Sequence, residues 1–140
     1  MFQDDMKMTG RLIISINDNV VQEVDNLVVT AGKEFVAARM IGTSADVMDN
    51  MAIGSGSTAA AAGDTALGSE LNRQSATSSA SGAVVTYSAT FAAGNGTGAV
   101  TEAGLFNASS GGSMLCRTVF SVVNKGASDS MTISWAVTVS

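Results

Sequence analysis

The stretch Met131-Thr132-Ile133-Ser134-Trp135-Ala136-Val137-Thr138-Val139 puts a large apolar side chain at every odd position and a small or hydroxylic one at every even position. That period of two belongs to a strand buried on one face, whereas a helix would scatter the same apolar residues around its axis. Val85, Tyr87, Ala89 and Phe91 alternate in the same way with Thr86, Ser88 and Thr90. Asn95-Gly96 then offers two positions suited to positive φ, as a tight type I′ turn requires, so the run 99–106 is expected to pair back antiparallel on 85–91. Ser109-Ser110-Gly111-Gly112 punctuates again, 114–123 forms another apolar run, and Asn124-Lys125-Gly126 turns the chain into the last strand. Residues 83–140 thus read as four strands, and nothing in them looks catalytic.

At 140 residues and 14.1 kDa the chain is long enough for one domain with one core. Hydrophobic residues make up 46% and aromatics only 5%, so Val, Ile, Leu, Met and Ala build most of that core. Trp135, Val137, Phe120, Phe91 and Tyr87 are expected to pack together between two sheets. Charged residues reach only 14%, against about 25% in an ordinary domain. The surface is therefore either neutral Ser, Thr and Gly or covered by a partner.

The net charge of -5 and the absence of any Lys or Arg run leave no footprint for a phosphate backbone, so no nucleic-acid partner is expected. With no histidine, Ser-His-Asp and Cys-His mechanisms are excluded. The single cysteine, Cys116, lies mid-strand, reads as a small core residue, and leaves no conventional zinc set. A chain that is not an enzyme and needs neither metal nor cofactor is expected. No stretch approaches the ~20 apolar residues of a membrane helix, and the N-terminus lacks the basic region of a signal peptide. The expectation is synthesis in the cytoplasm, with no membrane partner.

Residues 1–10 read as an arm and 11–140 as the domain. The arm carries Phe2, Met6 and Met8 among Asp4, Asp5 and Lys7 without a clear period, and either frays or docks these apolar residues on a neighbouring subunit. Leu12, Ile14 and Ile16 share a strand face, Asn17-Asp18-Asn19 turns, and 20–29 supplies the return strand of a hairpin. Residues 30–40 are the one helical pattern: Thr30 can cap, Glu34 and Arg39 suit the macrodipole, Phe35, Val36, Ala38 and Met40 give a partial apolar stripe, and Gly42 ends it. A strand is expected over 47–53. Residues 54–71, rich in Gly, Ala, Ser and Thr, read as a long loop with a turn of helix near 64–67, and 73–81 as an edge strand or loop.

Gly54-Ser55-Gly56-Ser57-Thr58-Ala59 matches the dinucleotide fingerprint G-x-G-x-x-A, with Glu70 as a possible ribose acid. That fingerprint works only where it opens the helix of a βαβ unit, and the surrounding chain alternates like antiparallel strands. The carboxylate candidates are Asp4 with Asp5, Asp46 with Asp49, and Glu102, which interrupts an apolar strand. Glu102 either faces solvent or pairs with Arg117 on the neighbouring strand, or else serves a ligand or interface.

The runs Leu27-Val28-Val29-Thr30-Ala31-Gly32-Lys33-Glu34-Phe35-Val36-Ala37-Ala38-Arg39-Met40, Met51-Ala52-Ile53-Gly54-Ser55-Gly56 and Ala62-Gly63-Asp64-Thr65-Ala66-Leu67-Gly68, and above all Thr101-Glu102-Ala103-Gly104-Leu105-Phe106-Asn107 with Cys116-Arg117-Thr118-Val119-Phe120, resemble small virion proteins of tailed bacteriophages. Within that group the chain is most similar to the capsid cement (decoration) proteins of short-tailed phages. The resemblance covers roughly residues 27–139 and implies an all-β, jelly-roll-like two-sheet β-sandwich with one short helix. It implies further a homodimer that binds the major capsid protein on the outer surface of an HK97-type capsid and stabilises it. Related sequences are labelled tail-fibre-like, so a tail-fibre or baseplate-associated receptor-binding module is the alternative; neither fibre repeats nor a receptor tip is evident here. The likeness is to a pattern, and no functional residue is carried over from it.

Overall fold

The computed structural model describes residues 6–42 and 46–140. The strands are β1 (Met8–Ile16), β2 (Asn19–Asp25), β3 (Leu27–Val28), β4 (Asn50–Gly54), β5 (Glu70–Ser75), β6 (Thr77–Ser81), β7 (Val84–Phe91), β8 (Gly98–Phe106), β9 (Met114–Lys125) and β10 (Met131–Val139), with one helix, α1 (Thr30–Met40), among the described residues. One sheet runs β2-β1-β10-β7-β6 and the other β3-β9-β8-β4-β5. All pairings are antiparallel. The expected all-β, jelly-roll-like sandwich with one short helix is the fold. The chain changes sheet between β2 and β3, β5 and β6, β7 and β8, and β9 and β10, so each sheet is assembled from strands distant in sequence.

The alternation that marks β10 is carried into burial: Met131, Ile133, Trp135 and Val137 are buried while Thr132, Ser134, Ala136 and Thr138 lie half-covered on the outer face. Trp135 sits between Leu12 on β1 and Tyr87 on β7. Tyr87, Phe91, Phe120, Trp135 and Val137 belong to one core cluster that both sheets share.

The turn at Asn95-Gly96 does not close the expected hairpin. β7 pairs with β10 and β6, and β8 with β4 and β9, so the 92–97 connection carries the chain from one sheet to the other. Of the expected pair only Gly96 adopts positive φ, at 70°, and the other left-handed residue is Gly94, at 87°, not Asn95. Gly96, however, lies against β4, where a Cβ would stand 2.5 Å from Ile53 Cδ1. The same left-handed residues serve a tight hairpin or a crossing connection, and the choice here is made by partners far away in sequence. By contrast β8 and β9 do form a hairpin across 107–113, as the Gly-rich punctuation suggests.

The N-terminal hairpin forms, with Asn17 and Asp18 both at positive φ. Its first strand begins earlier than the sequence suggests: Met8 pairs with Val139, and Lys7 exchanges two 2.8 Å backbone hydrogen bonds with Ser140. Of the predicted arm, therefore, residues 8–10 belong to the sheet, and Lys7 is tied to its edge through Ser140. Phe2, Asp4 and Asp5 lie outside the described residues. The predicted return strand 20–29 breaks at Asn26, leaving β2 in one sheet and β3 in the other.

α1 spans the expected residues, but its details differ. Val29 occupies the cap position in extended conformation without a side-chain hydrogen bond, Thr30 lies inside the helix, and no acid stands in the first turn. The helix end is satisfied from elsewhere, Thr30 N–H donating to the Ala62 carbonyl at 2.8 Å. Phe35 and Val36 pack against the core, whereas Met40 is 79% exposed. What seats the helix is Gly32, buried over β9, where a Cβ would come within 2.1 Å of the Leu115 carbonyl oxygen. Gly32→Ala should therefore destabilise by about 1–3 kcal/mol through overpacking, despite the ~1 kcal/mol that alanine gains in helix propensity. A thermal melt with Tm at or above that of the wild type would contradict this seating.

β4 starts at Asn50 rather than at Val47, with all five residues buried at an interior position of its sheet. The 55–69 segment is a loop as expected, but it has only a turn at 62–63 and no helical turn near Asp64. The polar 70–81 stretch forms two edge strands, one on each sheet.

Candidate functional site

Glu102 on β8 is fully buried, and Arg117, displaced by one diagonal step on β9, reaches it through Nε at 3.1 Å and Nη2 at 2.9 Å. The pairing reading of Glu102 is thus the one the fold adopts. Three backbone N–H groups complete the cradle: Gly68 donates to Oε1 at 2.8 Å, and Gly56 and Ser69 donate to Oε2 at 2.6 and 2.8 Å. Arg117 also donates to Asp64 Oδ2 at 2.9 Å and to the Thr58 carbonyl at 3.0 Å.

This cradle explains the fingerprint-like glycines. They do wrap an anion, but the anion is the protein's own carboxylate. A Cβ on Gly56 would stand 2.4 Å from Glu102 Oε2, and one on Gly54 2.6 Å from it. No helix follows, and Glu70 pairs with Arg73 at 2.7 Å, so the geometry that would hold a pyrophosphate is missing. With both Glu102 oxygens and four of the five Arg117 N–H groups engaged, the cluster clamps the 55–69 loop to the second sheet rather than presenting a reactive group.

Burial pushes the Glu102 carboxyl up, but the hydrogen bonds from Ser69, Gly68, Arg117 and Gly56 more than offset this and hold it below its ordinary value of 4.5. A depressed carboxyl contributes stability that is present above the unfolded value and lost as pH falls through the folded one. The urea midpoint of the wild type should therefore fall as pH drops below about 4.5, and Glu102→Gln should flatten that slope. An equal slope in the variant would show that other groups control acid unfolding.

Cys116 is fully buried, and burial pushes its thiol well above the ordinary range, so it is an unreactive core residue. Asp46 and Asp49 are exposed on the segment before β4; Asn107 Nδ2 donates to the Asp46 carbonyl and Asn50 Nδ2 to Asp49 Oδ1. Among the described residues no three His, Cys, Asp or Glu side chains converge as a metal set.

Two surface features remain. Met6, Met8, Val36, Met40 and Val139 line a mostly apolar groove of about 440 Å³ between the start of β1, the end of β10 and α1, with Lys7 and Lys33 on its walls. Met6 is 70% exposed there. Of the interface candidates read from the sequence, Met6 and Met8 thus share one groove. Its helical wall was not legible, because the apolar stripe of α1 gave no sign that Met40 faces outward.

The second feature is the outer face of the first sheet. Thr86, Ser88 and Thr90 of β7 stand beside Ala136, Ser134 and Thr132 of β10. No charged residue occurs between Arg73 and Glu102, so neither β6 nor β7 carries one, and β10 carries none either. The α1 helix packs on β9 in the opposite sheet. Fold and surfaces define an all-β sandwich with a neutral, hydroxyl-rich face and an apolar groove at one end. No family model matches the chain, and neither a curated protein nor a solved structure matches it.

Proposed function

We propose that this chain is a structural virion protein that binds the outer surface of an HK97-type capsid and cements its lattice, with the major capsid protein and a second copy of itself as partners. The observation that carries the reading, beside the sequence resemblance, is the charge-free outer face formed by β6, β7 and β10 in a chain of net charge -5. Such a face can be covered without stripping water from ions, which makes it the least costly surface to bury on a shell. The net acidity disfavours a place against packaged DNA and suits the outside of the particle. A sandwich that bridges two capsid subunits gains burial energy only while they stay in register, so it stabilises the expanded lattice by mass action. The protein works without catalysis, metal or cofactor; it is made in the host cytoplasm and carried on the virion.

Co-sedimentation with purified, expanded, undecorated capsids tests the docking face. Ser79→Arg combined with Ser134→Arg, which are not cross-strand partners, should leave the melting temperature nearly unchanged and weaken attachment by about tenfold or more, since two unpaired charges would be buried. Full occupancy by this double variant would mean that another face meets the shell.

A further inference from the structure

The groove between β1, β10 and α1 combines apolar walls with positive charge, in a chain where cations are otherwise engaged. Arg11 pairs with Glu23 and Asp25, Arg73 with Glu70, and Arg117 with Glu102 and Asp64, while buried Lys125 donates to the Ala92 carbonyl. Lys7 and Lys33, by contrast, stand at the groove with no ion-pair partner among the described residues. Methionine walls adapt to an incoming side chain better than branched ones do. The site therefore calls for a short segment with a bulky apolar anchor and acidic residues beside it.

The chain's own first residues, Met1-Phe2-Gln3-Asp4-Asp5, have that chemistry. We infer that the groove seats residues 1–5 of a second copy in a reciprocal exchange, with Phe2 against Met8 and Met40 and Asp4 and Asp5 near Lys7 and Lys33. The backbone of Lys7 is tied to Ser140 at the groove's edge. Five extended residues reach roughly 16–18 Å beyond that point, enough to cross a two-fold seam. Return to the chain's own groove would require a reversal within four residues, past Met6, which is itself a wall, and no Gly or Pro precedes Gly10 to make it. Exchange also lets two chains of net charge -5 meet through opposite charges, and a two-fold axis satisfies both grooves at once.

The inference rests on the self-association in the proposed function, but its test needs no capsid. In sedimentation velocity at micromolar concentration the full chain should be a dimer that weakens as salt is raised. Removal of residues 1–5, and separately Met40→Glu, should each give a monomer with an unchanged melting temperature; Phe2→Asp serves in place of the deletion if the shortened chain folds poorly. Mixing the deleted chain with M40E should restore a dimer, because one retains a groove and the other an arm. A monomeric full chain, a dimeric deletion variant or a mixture that stays monomeric would overturn the exchange. A monomeric full chain that still decorates capsids would leave cementing intact, whereas an exchanged dimer that never attaches would do the reverse.

Discussion

Trp135→Ala is expected to lower the stability of the fold by about 3–5 kcal/mol, a large part of the roughly 5–15 kcal/mol available to a domain of this kind. Trp135 is fully buried at the middle of β10, the central strand of its sheet, with Leu12 and Tyr87 as direct cross-strand neighbours. Its indole Nε1 has no hydrogen-bond partner among the described residues, so its contribution is taken to come from packing. Trp135→Phe should accordingly cost much less than the alanine variant, because it retains a ring and removes an orphaned donor. Urea unfolding of both variants measures the difference. An alanine variant as stable as the wild type would contradict the inward face of β10 and with it the register of the first sheet.

Arg117→Met should be comparably damaging, at about 3–5 kcal/mol, because it leaves the carboxylate of Glu102 buried beside unbalanced backbone donors. The loss does not measure what the ion pair adds to stability; it reflects the cost of stranding one partner. Adding Glu102→Leu to Arg117→Met should therefore recover part of the stability, although Asp64, Gly56, Gly68 and Ser69 then lose their partners. A double-mutant cycle with no coupling would show that the cradle does not hold the 55–69 loop.

The outcome of the sequence reading follows the range of the interactions involved. β7 and β10 were legible because a buried strand in an antiparallel sheet writes its alternation directly into neighbouring residues. The helix bounds were legible too, but its seating was not, since the close approach of Gly32 to Leu115 spans two distant segments. The turn chemistry of Asn95-Gly96 identified a reversal without identifying the partner: both ladders of β7 are filled by β6 and β10. The Glu102 cradle was half visible. A lone acid in an apolar strand with an arginine on the next one suggests a pair, but the donors Gly56, Gly68 and Ser69 come from 33 to 46 residues away. No local pattern separates a glycine pair that holds a nucleotide from one that holds a buried side chain. Met6 is exposed, as an apolar arm residue without a place in the core would be, but Met8 is half-buried in β1 against the core cluster, and only the fold reveals that α1 supplies the opposite wall of their groove.

The measurement that bears most directly on the cementing role is the heat release of packaged DNA from particles assembled with and without this protein, followed by dye fluorescence. Particles lacking it should release their genome at a lower temperature, and purified protein added back at saturating concentration should restore the higher one. Particles equally resistant to heat with and without the protein would contradict cementing.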